Sequence, residues 1–355
     1  MTALDTIILD TASRIFDDLS TAETINAAED GVWPEALWQA VMESGLTLTW
    51  IPEDNGGVGA SMLDGFAVIK AAGGWAVPIP LAETLLAGWT LAQAGLQASG
   101  EAATLALGSN LTLVDGKLCG SANAVPGARN ARQIVAVVGV GDDVHVVQVS
   151  TVNCELKAHT NLAGEPWDQV SFNAVDVEQT GTLPAGVGKE SIEAMGALIR
   201  CVQAAGALSA ALELTIEYSK ERVQFGRPIG KFQALQQSIA SFAGEVAIIN
   251  AAADAATEAV DRAGGVDHEA WVEIATAKTL LEEAVNLGAA VAHQVHGAMG
   301  FTYEHQLHHL TRRLWSWRDE YGSDVTWSRR LGAEVLKWGP DSLWPKIAAA
   351  TDNCS

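Results

Sequence analysis

The segment KERVQFGRPIGKFQALQQ, from Lys220 to Gln237, decides how this sequence is interpreted. Pro228 prevents one helix from running through it, since proline has no backbone N–H and restricts the residue before it. The segment therefore predicts a tight turn between two long helices. Three of its side chains could do more, because they can bind phosphate oxygens, offer an aromatic face and reach a sugar or base: Arg222, Phe225 and Gln233. From spacing alone, an ordinary surface arginine in a structural turn is the favoured interpretation.

A second segment, QVHGAMGFT from Gln294 to Thr302, follows a long helical pattern and contains two glycines. Glycine lets the backbone approach a ligand closely, and the amide of Gln294 can both donate and accept hydrogen bonds. A helix C-cap explains the glycines nearly as well. The spacing alone leaves a ligand contact and a plain cap as open alternatives.

Hydrophobic periodicity divides the chain into three parts. Apolar residues recur at helical spacing in the first and last parts, and a loop at Pro52 to Gly57 ends one helix before Ser61 caps the next. In the middle part the period is two, which indicates strands. Val114 to Gly116 and Gly139 to Asp143 are typical of hairpin turns. Because a strand follows Gly139, we favour a hairpin there over a dinucleotide-binding glycine loop.

The order of helices, strands and then long helices predicts an α+β fold, because it fits neither alternating βαβ units nor an all-helical protein. We expect an N-terminal α-helical domain at residues 1–105 and a middle β-barrel or sandwich domain at 106–184. A C-terminal four-helix bundle then occupies residues 185–340, and a tail follows at 341–355.

Composition excludes several classes of partner. The formal charge of -22 would repel nucleic acid and anionic lipid over most of the surface. No uninterrupted apolar run reaches the roughly 18 residues of a membrane span, and the N-terminus does not resemble a signal peptide. The four cysteines are widely separated, which is typical of reduced thiols. We therefore expect a cytoplasmic protein with no membrane or nucleic-acid partner.

The two glycine-containing segments together resemble the acyl-CoA dehydrogenase family. Glu221 to Gln233 matches nearly all of that family's E-R-x-x-F-G-x-P-I-x-x-F-Q pattern. Gln294 to Thr302 is similar to its Q-x-x-G-G-x-G-[FY]-T segment, with Ala298 in place of the second paired glycine. Ile51 to Gly59 is similar to its N-terminal P-E-x-x-G-G-x-G loop. The resemblance runs over almost the whole chain and implies the same order of helical and β domains.

The resemblance implies that two subunits share each FAD. Arg222 would then contact the pyrophosphate of a flavin held mainly by a neighbouring subunit, with Gln224 and Phe225 beside it. Gln233 would support the adenosine half. Backbone contacts to the same half would come from the second segment, which comprises Gln294, Val295, His296, Gly297 and Ala298.

Two family features that act on the flavin ring and the acyl group are missing. The family's T-E-P-x-A-G-S-D-like and W-[IV]-[ST] segments have no counterpart here, and the corresponding stretch is Gly116 to Ala128. The family also needs a carboxylate base to remove the proton α to the thioester while flavin takes a hydride. In the two places where that glutamate occurs, the matching residues here are Gly196 and Tyr321.

Glu320 is the one candidate base, since it lies one residue from the second of those places. A neighbouring residue on a helix projects about 100° away, so Glu320 would not reach the same pocket. We favour a solvated carboxylate that pairs with Arg318 or Arg313. The histidines at 305, 308 and 309 lack the spacing of a helical metal site, and we expect no metal.

The sequence thus predicts the degenerate, smaller subunit of a heteromeric acyl-CoA dehydrogenase. Its partners would be a complete dehydrogenase subunit in a heterotetramer, an acyl-CoA substrate and an electron acceptor. By analogy the substrate could be a CoA ester of a steroid side chain. Two alternatives stay open: a self-sufficient homotetrameric dehydrogenase that uses Glu320, and a structural subunit that does not contact FAD.

Overall fold

The computed structural model describes residues 6–108, 110–140 and 143–352. Five helices precede the strands: α1 (Thr6–Leu19), α2 (Ala22–Glu29), α3 (Glu35–Glu43), α4 (Met62–Gly74) and α5 (Leu81–Gln93). Six follow them: α6 (Lys189–Glu221), α7 (Gln233–Ala263), α8 (His268–His296), α9 (Leu307–Trp317), α10 (Asp324–Trp338) and α11 (Pro340–Asp352). The predicted order of helical, β and helical parts is confirmed.

The β region consists of two four-stranded sheets. The first has the order β1-β4-β5-β8 and the second the order β2-β3-β7-β6. Their strands are β1 (Ala103–Ala106), β2 (Thr112–Val114), β3 (Lys117–Pro126), β4 (Gln133–Val140), β5 (Asp143–Ser150), β6 (Glu155–Lys157), β7 (Trp167–Asp176) and β8 (Gln179–Thr182). Apolar side chains from both sheets form a core of their own, as expected for a sandwich.

Both predicted hairpins are present. Asp115 and Gly116 connect β2 and β3 with φ angles of 50° and 74°, as a tight two-residue hairpin turn requires. Strands β4 and β5 pair along their whole length up to Val140 and Asp143. The turn residues Gly141 and Asp142 lie outside the described residues.

Ser61 begins α4 as the sequence indicates. Its hydroxyl accepts a hydrogen bond from the backbone N–H of Asp64 at 3.1 Å, and the Asp64 carboxylate accepts one from the backbone N–H of Ser61 at 3.0 Å. Each side chain thereby satisfies a donor that the first helical turn leaves unpaired. This reciprocal capping fixes where α4 starts.

Two glycine contacts join α4 to the C-terminal bundle. A Cβ atom added to Gly206 on α6 would lie 1.9 Å from the carbonyl oxygen of Lys70 on α4. One added to Gly73 on α4 would lie 2.1 Å from the carbonyl oxygen of Gln203. The two backbones therefore touch, and the N-terminal helices are held against the middle of α6.

Helices α6 and α7 are long and apolar enough, by length and composition, to cross a membrane. Polar residues interrupt the apolar runs of both helices, so the sequence pattern does not predict a membrane span there. In α6 the most apolar window is 83% buried, which makes it the core helix of the bundle. In α7 the corresponding window is 28% buried, so much of this helix faces outward.

We expect Gly206→Ala to lower the free energy of unfolding by about 2–3 kcal/mol, because the added methyl group must push two helix backbones apart. Gly244→Ala on α7 is the matched control. Nothing lies within 4 Å of a Cβ atom at Gly244, so the change should raise stability by up to about 1 kcal/mol. Urea unfolding of the two variants measures the difference, and equal stability would contradict the close helix contact.

Candidate functional site

The two predicted flavin segments lie at the same end of the helical bundle. The first forms the connection between α6 and α7, and the second follows the end of α8. The rings of Tyr218, near the end of α6, and His296, at the end of α8, stack with their centroids 4.6 Å apart. The folded chain therefore brings the two segments together, although the 60 residues from 234 to 293 separate Gln233 from Gln294 in the sequence.

A short β-hairpin carries the first segment away from the bundle. Its strands are β9 (Val223–Gln224) and β10 (Arg227–Pro228), and its turn places Phe225 at φ 52° and Gly226 at φ 81°. A left-handed conformation costs a residue other than glycine about 1–2 kcal/mol. The Phe225 side chain is nevertheless 92% exposed, so this chain alone supplies little packing to offset the cost.

Arg222 lies at the base of this hairpin with its side chain exposed. Its backbone is fixed, because its carbonyl oxygen accepts a hydrogen bond from the N–H of Ile229 at 2.8 Å. Among the described residues, no carboxylate forms an ion pair with its guanidinium, although the chain contains 43 acidic residues. The side chains of Gln224 and Gln233 are exposed nearby in the sequence. The guanidinium is thus available to an anion.

The second segment divides into a buried part and an exposed part. Val295 and His296 are buried, and the imidazole Nδ1 of His296 hydrogen-bonds to the carbonyl oxygen of Ala292 at 2.8 Å. Gln294, Gly297 and Ala298 are exposed, and the backbone turns there into a 3₁₀ helix at Gly297–Phe301. Contacts by Val295 or His296 to an external ligand would therefore be limited to their backbone atoms.

These residues fit one half of a dinucleotide. A free guanidinium suits a pyrophosphate, exposed amides suit a sugar or a base, and open glycine backbone permits close approach. Large apolar side chains in and next to the same two segments are also exposed, which is typical of a surface that another molecule covers: Val223, Phe225, Met299, Phe301 and, just after the second segment, Tyr303. The described residues contain no group of side chains suited to a metal ion.

The two positions where the sequence predicts a missing base face each other. A Cβ atom added to Gly196 on α6 would lie 2.5 Å from the ring of Tyr321, in the connection between α9 and α10. The Tyr321 ring therefore occupies the space beside Gly196. The backbone of Tyr321 has a φ of 56°, and the Tyr321 carbonyl oxygen accepts a hydrogen bond from the indole N–H of Trp327 at 2.9 Å.

The prediction that Glu320 is a solvated carboxylate paired with Arg318 or Arg313 is wrong. Glu320 is 5% exposed, and its carboxylate pairs with the guanidinium of Arg200 at 2.6 Å. The amide of Asn161 donates a second hydrogen bond to it at 3.1 Å. Arg318 instead pairs with the adjacent Asp319. A buried guanidinium needs a carboxylate, and this need overrides the preference of an isolated glutamate for the surface.

Arg200 is the functional residue that the sequence analysis misses. Besides Glu320, its guanidinium donates to the carboxylate of Glu83 on α5 and to the side-chain oxygen of Gln203, each at 2.6 Å. The network joins α5, α6 and the connection after α9. A signal was available, because Arg200 is the lone charged residue within the apolar run from Ala194 to Ala211.

Burial raises the pKa of Glu320 to about 7, even though Arg200 favours its charged form. Glu165 and Glu83 add to the rise, because like charges nearby oppose ionisation. One guanidinium thus serves the buried carboxylate of Glu320 and the partly buried one of Glu83, and a proton on Glu320 relieves their repulsion. Burial also raises the pKa of the Tyr321 hydroxyl well above its usual value.

Lys278 caps the C-terminal end of α9 next to the Arg200 network. Its ammonium group is buried and donates to the carbonyl oxygens of Trp317 at 3.2 Å and of Arg318 at 2.6 Å. Burial lowers its pKa to about 8. The contact holds the start of the connection that carries Glu320 and Tyr321.

A cavity of about 110 Å³ lies next to the network. Its walls include Glu83, Asn161, Glu165, Arg200 and Arg313. Sites that enclose small ligands usually measure about 300–1,000 Å³. Apolar side chains such as Trp33, Ile79 and Trp167 complete the walls, and the space in this part of the chain is therefore small.

Comparison with known proteins identifies relatives across the whole length. The N-terminal domain model of acyl-CoA dehydrogenases matches residues 4–102, and the C-terminal domain model matches residues 194–324. The acyl-CoA dehydrogenase IpdE2 of Mycobacterium tuberculosis is 29% identical over 313 residues, which is 87% of this chain and 89% of that protein.

Solved structures share the fold at lower identity. One chain of the ChsE4-ChsE5 complex from Mycobacterium tuberculosis superimposes with a TM-score of 0.83 and 22% identity, over 96% of this chain and 99% of that one. The steroid acyl-CoA dehydrogenase Tcur3481-Tcur3483 gives 0.82 and 22%, over 94% and 97%. PigA, solved with FAD and proline, gives 0.80 and 19%, over 96% and 100%. Matching domain models at both ends, joined by a shared fold throughout, show that this chain belongs to the acyl-CoA dehydrogenase family.

Proposed function

We propose that this chain is a subunit of a heteromeric, FAD-dependent acyl-CoA dehydrogenase and completes the pyrophosphate and adenosine side of a shared FAD site. The observation that carries the proposal is the hairpin at Val223 to Pro228. It holds Phe225 in a strained, exposed position three residues after Arg222, whose guanidinium forms no ion pair with a carboxylate among the described residues. Such an arrangement gains its stabilising contacts when another molecule covers it.

FAD as the cofactor follows from the family and from relatives such as PigA, which contains it. When bound, FAD supplies the acceptor for the hydride that leaves the β carbon of the acyl group. Arg222 would hold the pyrophosphate, and Gln224 and Phe225 would lie alongside. Gln233 and the exposed backbone at Gly297 would support the adenosine half.

The catalytic base would come from a partner subunit. In this chain glycine and tyrosine occupy both positions where the family carries its glutamate, and the nearby cavity is small. The structure of the ChsE4-ChsE5 complex contains a chain with this fold, which makes a division of roles between subunits reasonable.

The open apolar surface of α7 also supports a multimeric enzyme. Alanine, serine and glycine occupy much of its exposed face, at Ala240, Ser241, Gly244, Ala247 and Ala251. Small side chains allow another helix to approach closely, and burial of this surface would be favourable. A partner with the same fold would provide a suitable helical surface.

The substrate class within the proposal is a CoA ester of a steroid side chain, by similarity to Tcur3481-Tcur3483, which is a steroid acyl-CoA dehydrogenase. The electrons would pass from the flavin to a separate acceptor. A cytoplasmic location agrees with the widely spaced cysteines and remains a prediction.

One observation favours the alternative of a self-sufficient enzyme. Glu320 is buried and its pKa is raised to about 7, as suits a general base. Against it, both Arg200 and Asn161 already occupy the Glu320 carboxylate, and Tyr321 rather than Glu320 lies beside Gly196. We therefore assign Glu320 a structural role, in the buried network with Arg200 and Asn161.

Arg222→Ala should weaken FAD binding by the assembled complex about 10- to 100-fold, because a charge-assisted hydrogen bond contributes roughly 1.5–3 kcal/mol. The matched control is Arg132→Ala, which removes an exposed arginine from the β region. Flavin content per complex after gel filtration, and titration of apoprotein with FAD, measure the effect. Full flavin content in Arg222→Ala and in Gln294→Ala would favour a structural subunit that does not contact FAD.

We expect the chain expressed alone to be colourless and to reduce no electron acceptor with an acyl-CoA, because its base positions lack a carboxylate. Adding the complete partner subunit should restore both flavin and activity. A yellow protein that is active by itself, and that loses activity in Glu320→Gln, would instead establish the self-sufficient enzyme.

The pH dependence of stability should report the buried Glu320. Because its pKa is raised to about 7, the folded chain binds more protons at this site than the unfolded chain between its ordinary value and pH 7. This contribution to stability is complete at low pH and is lost as the pH rises through about 7. Urea unfolding at a series of pH values should show a shallower fall for Glu320→Gln than for the unsubstituted chain. An identical fall in both would mean that Glu320 is ionised throughout.

A further inference from the structure

We propose that Tyr321 decides which subunit accepts the acyl group, because its ring fills the acyl site of this chain and Arg200 positions it there through Glu320. The proposal rests on the function proposed above, since it assumes a partner that takes the substrate. It concerns exclusion of a CoA thioester and is independent of whether Arg222 binds FAD.

The Tyr321 ring would exclude an acyl chain by steric overlap. Three atoms of the Tyr321 ring lie 2.5 to 2.8 Å from where a Cβ atom of Gly196 would be, so even a methyl group does not fit between them. Gly196 itself is buried in the middle of α6. An acyl chain could reach this stretch of α6 only after the ring moves away.

The connection that carries Tyr321 adopts a conformation that needs support. Tyr321 has a φ of 56° and Gly322 a φ of 100°, and the first of these is unfavourable for a tyrosine. Support comes from the indole N–H of Trp327, which binds the Tyr321 carbonyl oxygen, and from Lys278 at the start of the connection. These contacts together fix the position of the Tyr321 ring.

Arg200 provides the support that acts from α6. It binds Glu320 at 2.6 Å, one residue before Tyr321, and its guanidinium carbon lies 5.9 Å from the centre of the Tyr321 ring. Glu83 and Gln203 hold the other two edges of the guanidinium, so it cannot turn away from Glu320. Arg200 is therefore a positioning residue, because it acts on the acyl site through the loop.

The first experiment measures octanoyl-CoA binding to the complex with its partner by isothermal titration calorimetry. In Tyr321→Gly the ring is removed, and glycine relieves the left-handed backbone, so the variant should fold. We expect it to bind one more octanoyl-CoA per pair of subunits than the unsubstituted complex. Tyr321→Phe keeps the ring and should bind no more than the unsubstituted complex. Equal stoichiometry in all three would overturn the proposal.

A second experiment tests the role of Arg200 with ¹⁹F NMR of fluorotyrosine-labelled protein. The chain has three tyrosines, so the Tyr321 signal can be assigned as the one that disappears in Tyr321→Phe. Arg200→Gln should shift or broaden that signal and leave those of Tyr218 and Tyr303 in place. Arg200→Lys, which keeps a cation next to Glu320, should restore it in part.

If Arg200→Gln misfolds, Glu320→Leu serves as the second variant, because it removes the same contact from the side of the loop. An unchanged Tyr321 signal in whichever variant folds would refute the positioning role. Flavin content is recorded in parallel. If the Tyr321→Gly complex keeps its full flavin content and its octanoyl-CoA stoichiometry is unaltered, the exclusion proposal alone is refuted. Failure of the complex to share FAD would instead count against the proposed function alone.

Discussion

The buried guanidinium of Arg200 is the constraint on which the closed part of this molecule depends. A charge inside an apolar helix bundle is tolerated only when other groups neutralise it and satisfy its donors. Glu83, Gln203 and Glu320 do so from α5, α6 and the connection after α9. One side chain thereby ties the N-terminal helices and the late part of the bundle to α6, and it fixes where Tyr321 lies.

Because of this arrangement, the two candidate sites differ: the one at Gly196 is closed, and the one at Arg222 is exposed. At Gly196 the Tyr321 ring packs against the backbone of α6, which leaves no room for a substrate between them. At the end of the bundle, Arg222 and Phe225 are exposed, and Arg222 forms no ion pair with a carboxylate among the described residues. A chain that closes one site and presents the other is suited to work as half of an enzyme whose remaining half lies in another subunit.

The sequence predicted the fold well because most of its signals are local. Proline and glycine positions end the long helices, Ser61 begins α4, and Asp115-Gly116 forms the expected turn. The flavin segments were found for the same reason, since each is a short continuous motif. The environment of Glu320 was predicted wrongly, because its partner Arg200 lies 120 residues away and no local pattern connects them.

The sequence by itself determined the family and the order of helical and β parts, since these depend on short-range spacing and backbone preferences, and the residues that would meet a flavin stay a prediction from it. Tertiary structure alone decided that Tyr321 fills the space at Gly196 and that Glu320 is buried. Both facts arise from contacts between distant parts of the chain, where steric exclusion and the neutralisation of a buried charge outweigh local preference. The segment from Lys220 to Gln237 indicates the family, and the packing around Arg200 closes the space at Gly196.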